Sequence, residues 1–419
     1  MKKVKLFLTM VLVAGMVALF LESCKSDSKT VAPLKLVSLK TGSGTALDGT
    51  TSTTDVATNT TVVATFDKEI DAATANTNSI ALVSNGAAVP ATITTAGAAI
   101  TIAPTANLAN GTNYTVSVAS TLKGKDGSPA PAAEFTFKTF GRANVTPPQA
   151  SNQLSYFSFS GNVNDEAGTH TPAAADIKNM TFAADRFGFA GLAGDFNGTT
   201  TIVEIPNGEQ YLSTTNFTVS FWIKASSTKD AHFVLGLAGY KGFQFEIQGG
   251  AWTADDKGIN LAAQYAQASG GSDAENSSWN GVLNGWQGST FTKVGVGTTA
   301  TAFKDKWANV IFTFAGSTKV ATMYVNGEKV RSFDFNLWPA GPGKATVSGM
   351  AYAGNTTGGG NKLAFGFIQA SQNPTLSDTW AQYSDPNNNH FKGQMDDVRI
   401  FKVALTAAEV TTLYTAEKP

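Results

Sequence analysis

The sequence has few residues equipped for catalysis: three His and one Cys in 419 residues. His170, His232 and His390 lie far apart and follow no metal-ligand spacing. Hydrolysis of a glycosidic bond requires two carboxyl groups facing each other across the sugar. Glu246, within Phe243-Gln244-Phe245-Glu246-Ile247, is a lone acid in a strand-like run. Asp255-Asp256 and Asp396-Asp397 are adjacent pairs, which an ideal strand sends to opposite faces. Gly358-Gly359-Gly360 sits among polar loop residues and leads into no helix, so it forms no phosphate cradle. On these grounds the chain reads as a non-enzyme.

Two non-catalytic chemistries have residues to support them. Calcium takes six to eight oxygens from carboxylates, amides and carbonyls. The stretch 161–168 is oxygen-rich, with Asn162, Asn164 and Asp165 as candidate ligands; the plain alternative is an ordinary Asn/Asp turn. Sugars present apolar C–H faces to aromatic rings and hydroxyls to amides and carboxylates. Trp252, Tyr265, Trp279, Trp286, Trp338, Trp380 and Tyr383 lie in two long Gly/Asn/Ser/Gln-rich segments, 249–300 and 334–389. Asn276, Asn280, Gln287, Asp378, Gln382 and Asn387 accompany them. Loops of this length are functional or disordered more often than not. The alternative is that these rings pin the insertions to the domain. Trp222 and Trp307 fall in strand patterns and read as core.

The positioning elements are strands. Tyr114, Val116 and Val118 alternate with polar neighbours, as do Phe217, Val219, Phe221 and Ile223, then Phe243, Phe245 and Ile247, then Val310, Phe312 and Phe314. Asn85-Gly86, Asn110-Gly111, Asp126-Gly127 and, most strongly, Asn326-Gly327 mark turns. Thr406-Ala407-Ala408-Glu409 is a capping box that opens one helix near the C-terminus. The fold class is therefore all-β. A small domain is expected over 34–139, with Asp67, Glu69 and Asp71 as solvated turn charges. A linker holding Pro147-Pro148 follows over 140–153, and a larger domain spans 154–419. Composition agrees: 42% hydrophobic, 15% charged, rich in glycine, with a net charge of -1 that excludes a broad nucleic-acid surface.

The N-terminus carries a different signal. Lys2, Lys3 and Lys5 precede an apolar run, Leu6 to Leu21, and then Leu21-Glu22-Ser23-Cys24. This layout predicts a signal peptide over 1–23. Its last four residues resemble the lipobox of bacterial lipoproteins, although Glu22 departs from the usual small residue. That resemblance implies lipidation of Cys24, the only cysteine, a polar tether over 24–33, and anchoring in the bacterial outer membrane or at the cell surface. Each buried acyl CH2 contributes about 0.8 kcal/mol to such anchoring.

Two further resemblances concern the folded parts. Val63-Ala64-Thr65-Phe66-Asp67-Lys68-Glu69-Ile70-Asp71, Leu108-Ala109-Asn110-Gly111-Thr112-Asn113-Tyr114-Thr115-Val116 and Phe135-Thr136-Phe137-Lys138-Thr139 are similar to bacterial Ig-like domains of the surface-layer type, which implies a spacer. Gly194-Asp195-Phe196-Asn197-Gly198, Phe217 to Lys224, Trp307 to Gly327, and Gly393-Gln394-Met395-Asp396-Asp397-Val398-Arg399-Ile400-Phe401 resemble laminin-G-like, concanavalin A-like jelly rolls. That resemblance implies that first and last strands are neighbours, so that Asp396 or Asp397 completes one structural calcium site with Asn162, Asn164 and Asp165, unless the strand acid pairs with Arg399. The E-x-D-x-x-E triplet of jelly-roll glucanases is absent from 154–419. The superfold hosts lectins, adhesion modules and hydrolases alike. A glycan or polysaccharide partner is the favoured expectation, with Trp252, Trp279, Trp286, Trp338, Trp380, Tyr383, Asn280 and Asp378 as its candidate site. The rivals are a protein-adhesion module without a sugar site and, last, a hydrolase with an unusual acid pair.

Overall fold

The computed structural model describes residues 31–47, 53–212, 214–227, 231–249, 258–280, 289–290, 298–339, 343–354, 360–372, 379–385 and 388–419. Cys24 and the expected signal peptide lie outside this set, as do Trp252, Trp286 and Asp378. No helix among the described residues is long and apolar enough to cross a membrane. The chain divides into two compact units at the Asn144–Val145 bond.

The first unit contains β1 (Leu36–Thr41), β2 (Thr53–Val56), β3 (Val62–Phe66), β4 (Ile80–Ser84), β5 (Ala87–Ala88), β6 (Ala91–Ala96), β7 (Ala99–Pro104), β8 (Asn113–Val118) and β9 (Ala133–Thr139). They form two sheets, β1-β3-β7-β6 and β2-β9-β8-β4-β5. Alternation puts Val62, Ala64, Phe66, Ile100 and Ile102 of one sheet in a single core with Ile80, Leu82, Tyr114, Val116 and Phe137 of the other. Asn85 and Gly86 both have positive φ, 48° and 77°, as a two-residue type I′ hairpin demands. The acids near β3 serve the surface, as expected. Asp67 accepts from the Lys35 amide at 2.8 Å, Glu69 pairs with Lys125 at 2.6 Å, and Asp71 accepts from the Ala73 amide at 3.1 Å.

The second unit contains β10 (Gln153–Phe157), β11 (Ile177–Lys178), β12 (Thr181–Ala183), β13 (Ala193–Asn197), β14 (Ile202–Ile205), β15 (Asn216–Ala225), β16 (His232–Leu237), β17 (Phe243–Gln248), β18 (Gly258–Gln267), β19 (Ser272–Trp279), β20 (Ser289–Thr290), β21 (Ala308–Ala315), β22 (Val320–Val325), β23 (Glu328–Asp334), β24 (Val347–Met350), β25 (Leu363–Phe365) and β26 (Lys392–Phe401). One sheet runs β12-β13-β26-β15-β21-β22-β23-β20, with β10 also on β26. The other runs β11-β14-β25-β16-β17-β18-β19, with β24 on β18. The inward residues of β15 and β21 meet those of β17, β18 and β25 in one core. Phe221 packs edge-on to Phe245 at 4.9 Å, and Phe157 to Phe365 at 5.2 Å. The Asn326-Gly327 turn forms as expected, with φ of 50° and 75°.

The helix Ala407–Glu417 opens with the expected capping box. It lays Val410 and Leu413 on Ile311, Tyr324 and Phe401, which point out of the core. It therefore covers part of the outer face of the β26-containing sheet. Trp222 also points to that outer face, where it stacks on Tyr414 at 5.8 Å. Its burial comes from the helix and not from the core between the sheets. The expected linker divides at Asn144. From Val145 onward it is tied into the second unit: Arg399 donates to the Val145 carbonyl and to Gln153 Oε1, both at 3.1 Å, and Lys402 N donates to the Asn152 carbonyl at 3.1 Å.

Candidate functional site

The expected calcium ligands are held by other partners. Asp165 Oδ1 accepts from the amides of Tyr156, Ala167 and Gly168 at 2.9, 3.2 and 3.0 Å, and its Oδ2 accepts from Ser155 Oγ at 2.8 Å and the His170 amide at 3.1 Å. Five donors leave this carboxylate no open side. Gly168 permits the approach, because a Cβ there would lie 2.3 Å from the Leu154 carbonyl oxygen. Asn162 Oδ1 accepts from the Asn164 amide at 2.9 Å. The carboxyl group of Asp165 thus organises a turn, with Ser155 also meeting Tyr211 Oη at 2.8 Å and His170 Nδ1 at 3.3 Å. Ser155, Asp165, His170 and Tyr211 are all buried. Asp165 bonds Ser155 directly and the serine is sealed from solvent, so this is no nucleophile relay.

Asp396 and Asp397 do not point to opposite faces. Ser220 pairs with Arg399 and Trp222 with Asp396, so the register slips by one residue between them. Asp397 takes up the slip with φ of 46°, a β-bulge that turns both carboxylates outward. The bulge falls where the shared edge of β26 passes from β13, paired through Met395, to β10, paired from Val398. Arg186 fills this gap: Nη1 reaches Asp396 Oδ2 and Nη2 reaches Asp397 Oδ2, each at 2.5 Å. Tyr156 Oη donates to Asp397 Oδ1 at 2.6 Å. Arg399 pairs instead with Glu417, Nε to Oε1 at 2.7 Å, while Trp222 Nε1 donates to Glu417 Oε2 at 2.9 Å. Burial and the nearby Asp397 charge push the Glu417 carboxyl above its ordinary value. Three carboxylates and two guanidiniums thus pin the helix to the sheet. The donor set does not fit calcium, and among the described residues no group of three or more His, Cys, Asp or Glu is placed to hold a metal. Arg186 was invisible in the sequence, because it lies in a loop 210 residues from Asp396.

The aromatic candidates do not converge on one site. Trp279 is 1% exposed and belongs to the core. Tyr265 is buried between Phe314 and Phe335. Trp338 is half-buried against the core with Lys344 Nζ 4.9 Å over its ring. Tyr383 donates to the Thr200 carbonyl at 2.5 Å and packs on His390 at 4.8 Å. These four rings pin structure. Trp380 differs: it is 41% exposed and leans on Phe233 at 5.9 Å. Asn280 is exposed just past β19. Glu246, the lone strand acid, is part of a polar ladder and accepts from Asn260 Nδ2 at 2.9 Å; burial raises its pKa.

A concave site lies elsewhere, on the part of the outer sheet face that the helix leaves open. Asp195 pairs with Gln394, and Gln394 with Lys224, so three adjacent strands present these side chains in one row. Their inward neighbours Phe196, Met395 and Ile223 are core, which fixes the row outward. Asn197 and Lys392 pair in the next row, where Ser226 Oγ donates to the Lys392 carbonyl at 3.0 Å. Asp305 is held at the rim by its amide, 2.8 Å from the Ala225 carbonyl. Together these residues line a cavity of about 310 Å³. Trp307, expected to be core, is half-buried beside it, with Lys224 Nζ 5.6 Å from its ring centre. A cation held over an indole is oriented by the ring quadrupole, so Trp307 helps aim Lys224. None of the cavity's polar residues had been singled out as a candidate from the sequence. Asp195, Asn197, Lys224, Lys392 and Gln394 are outward residues of strands, and Ser226 and Asp305 lie just outside them.

Comparison with known proteins places part of this architecture. Residues 45–139 match the family model of the bacterial Ig-like domain. No curated protein matches the sequence. Among solved structures, the chain is similar to the botulinum neurotoxin type G receptor binding domain, with 13% identity, a TM-score of 0.35, and 63% of this chain and 51% of that chain covered. It is similar to the binding domain of Paraclostridial Mosquitocidal Protein 1, with 14% identity, a TM-score of 0.39 and coverage of 63% and 52%. It is also similar to domain 4 of AbnA, a GH43 extracellular arabinanase from Geobacillus stearothermophilus, in complex with arabinotriose, with 16% identity, a TM-score of 0.35 and coverage of 63% and 98%. The chain spans about half the length of the neurotoxin domain it matches.

Proposed function

We propose that this chain is a surface lipoprotein, anchored through lipid on Cys24, whose first unit is a spacer and whose second unit binds glycan. The observation that carries the reading is the cavity lined by Asp195, Asn197, Lys224, Ser226, Asp305, Lys392 and Gln394. Carboxylates, a hydroxyl and ammonium groups around one concavity supply the acceptors and donors that sugar hydroxyls require, while Asn197 shapes its edge by accepting from the amides of Thr199, Thr200 and Thr201. The proposed role is retention without catalysis.

The test is affinity electrophoresis of the detergent-solubilised full chain through gels containing a panel of polysaccharides. Replacing Asp195 and Lys224 together by Ala should abolish retention and leave the melting temperature nearly unchanged, since surface truncations usually shift stability within about 0.5 kcal/mol. Unaltered retention in that variant would move the site elsewhere, and Trp380→Ala is the next variant to measure. The anchor is tested separately: Cys24→Ala should take up no labelled fatty acid in cells.

A further inference from the structure

Each sheet of the first unit ends in two edge strands, and the four edges are not alike. An open edge presents unpaired N–H and C=O groups to other chains, and proteins guard such edges with charges, bulges, short strands or cover. β1 has three of these guards. Its register slips between Leu36 and Ser38, and Lys40 stands exposed within it. The segment 45–47 also lies along it: Thr41 N donates to the Thr45 carbonyl and Leu47 N to the Leu39 carbonyl, both at 2.8 Å. β2 carries Asp55, at φ of 60°, inside a slipped register. β5 is only two residues long.

β6 lacks every one of these guards. Its six residues pair with β7 in unbroken register, from Ala91 opposite Pro104 to Ala96 opposite Ala99. Among the described residues it has no other strand neighbour. No Asp, Glu, Lys, Arg or His occurs from Ala72 to Leu122, a stretch that holds β4 through β8. Along β6, Thr92, Thr94 and Ala96 are exposed, while Ala91, Ile93 and Thr95 are half-buried. Ile93 leans on the core opposite Ile102 and is only partly covered there.

We propose that β6 is the interface with a second copy of this chain, paired antiparallel about a two-fold axis. A foreign strand added to a sheet edge is selected by pockets for its alternate side chains or by charge. β6 offers small Ala and Thr side chains in an uncharged stretch, so it has no charge to select a foreign sequence and none to repel its own copy. Antiparallel partners that face each other share one side of the sheet. An axis at Ile93 therefore sets Ile93 against its copy and Thr92 against the copy's Thr94, with every side chain kept on its own side. The pairing covers the open flank of Ile93 and joins two four-stranded sheets into one. Growth stops at the dimer, because the far edge of each sheet is the guarded β1. This assigns the first unit a role besides spacing and does not depend on the glycan reading.

The experiment follows the full chain by sedimentation equilibrium across protein concentration, in density-matched detergent with micelles in excess. One short strand is a small interface, so the wild type should pass from monomer to dimer with a dissociation constant between about 10 μM and 1 mM. Thr94→Lys sets like charges against each other across the axis and should raise that constant at least tenfold while the melting temperature stays unchanged. Thr94→Val keeps a neutral β-branched side chain and should dimerise as the wild type does. Val37→Lys, on the guarded edge, should also leave association unaltered. A wild type that stays monomeric up to about 1 mM overturns the proposal. Dimerisation of Thr94→Lys equal to that of the wild type overturns it, as does open-ended assembly beyond the dimer.

Discussion

Asp396 and Asp397 are adjacent in sequence, yet both side chains leave the same face of β26, because Asp397 occupies a left-handed bulge with φ of 46°. One residue of slip converts an alternating pair into a two-pronged clamp. The clamp closes on Arg186, and the far side of the cluster closes on Glu417 at the end of the C-terminal helix.

Removing the centre of the clamp should be expensive. Arg186→Ala leaves two buried carboxylates without their cation, and breaking a buried pair this way costs about 3–5 kcal/mol. Urea unfolding of the variant should show this as a lower midpoint. A shift below about 1 kcal/mol would mean that the cluster is not sealed from water.

The pH dependence has a defined sign. Burial and Asp397 raise the Glu417 carboxyl above its ordinary value. Between its unfolded value and this raised one, the folded protein binds more protons than the unfolded chain, so stability falls as pH rises across that window. The contribution is fully present below the unfolded carboxyl value and is lost as pH passes through the folded value. Glu417→Gln should remove this component from a series of urea midpoints measured from pH 4 to 8. If the slope survives in the variant, another group produces it.

Chelation should leave the second unit's melting temperature unchanged. Asp165 is saturated by five donors and Asp396 and Asp397 are committed to Arg186. A ligand that bound only the folded state would stabilise it by mass action. A drop in melting temperature with EDTA, restored by calcium, would show that oxygens other than these form a site.

The tryptophans should divide by burial. Trp279→Ala empties a core position and should destabilise by about 3–5 kcal/mol. Trp380→Ala removes an exposed ring and should change stability by no more than about 0.5 kcal/mol. Equal thermal shifts in the two variants would contradict the packing described for them.

Much of the scaffold was readable in the chain because its signals are local. The Asn326-Gly327 hairpin, the alternation through β15, β17 and β21, and the Thr406–Glu409 capping box each need only a few consecutive residues. The sites were less readable because they are built across strands. Asp195, Gln394 and Lys224 meet only when β13, β26 and β15 align, and nothing in any one segment distinguishes them from solvated neighbours. Trp307 misled because it directly precedes a strand whose aromatics are core, although its own ring stays half-exposed beside Lys224. The Asp396-Asp397 pair misled because period two was assumed where a bulge interrupts it. Trp279 misled because a polar strand, Ser272 to Trp279, was read as a loop.

The pairing of β10 with β26 has a consequence for how the second unit is born. Tyr156 and Asp397, which touch, are separated by 241 residues. At synthesis rates of about 5–20 residues per second, an interval of roughly 10–50 s separates their emergence. Throughout that time β10 lacks the strand it pairs with, and Tyr156 lacks Asp397. Contacts so distant in sequence also form slowly once both halves exist, because loop closure precedes any gain from pairing. The last strand to be made is therefore the one that completes the first of the second unit, and a fragment ending before Lys392 should stay protease-sensitive at β10 however well its middle has folded.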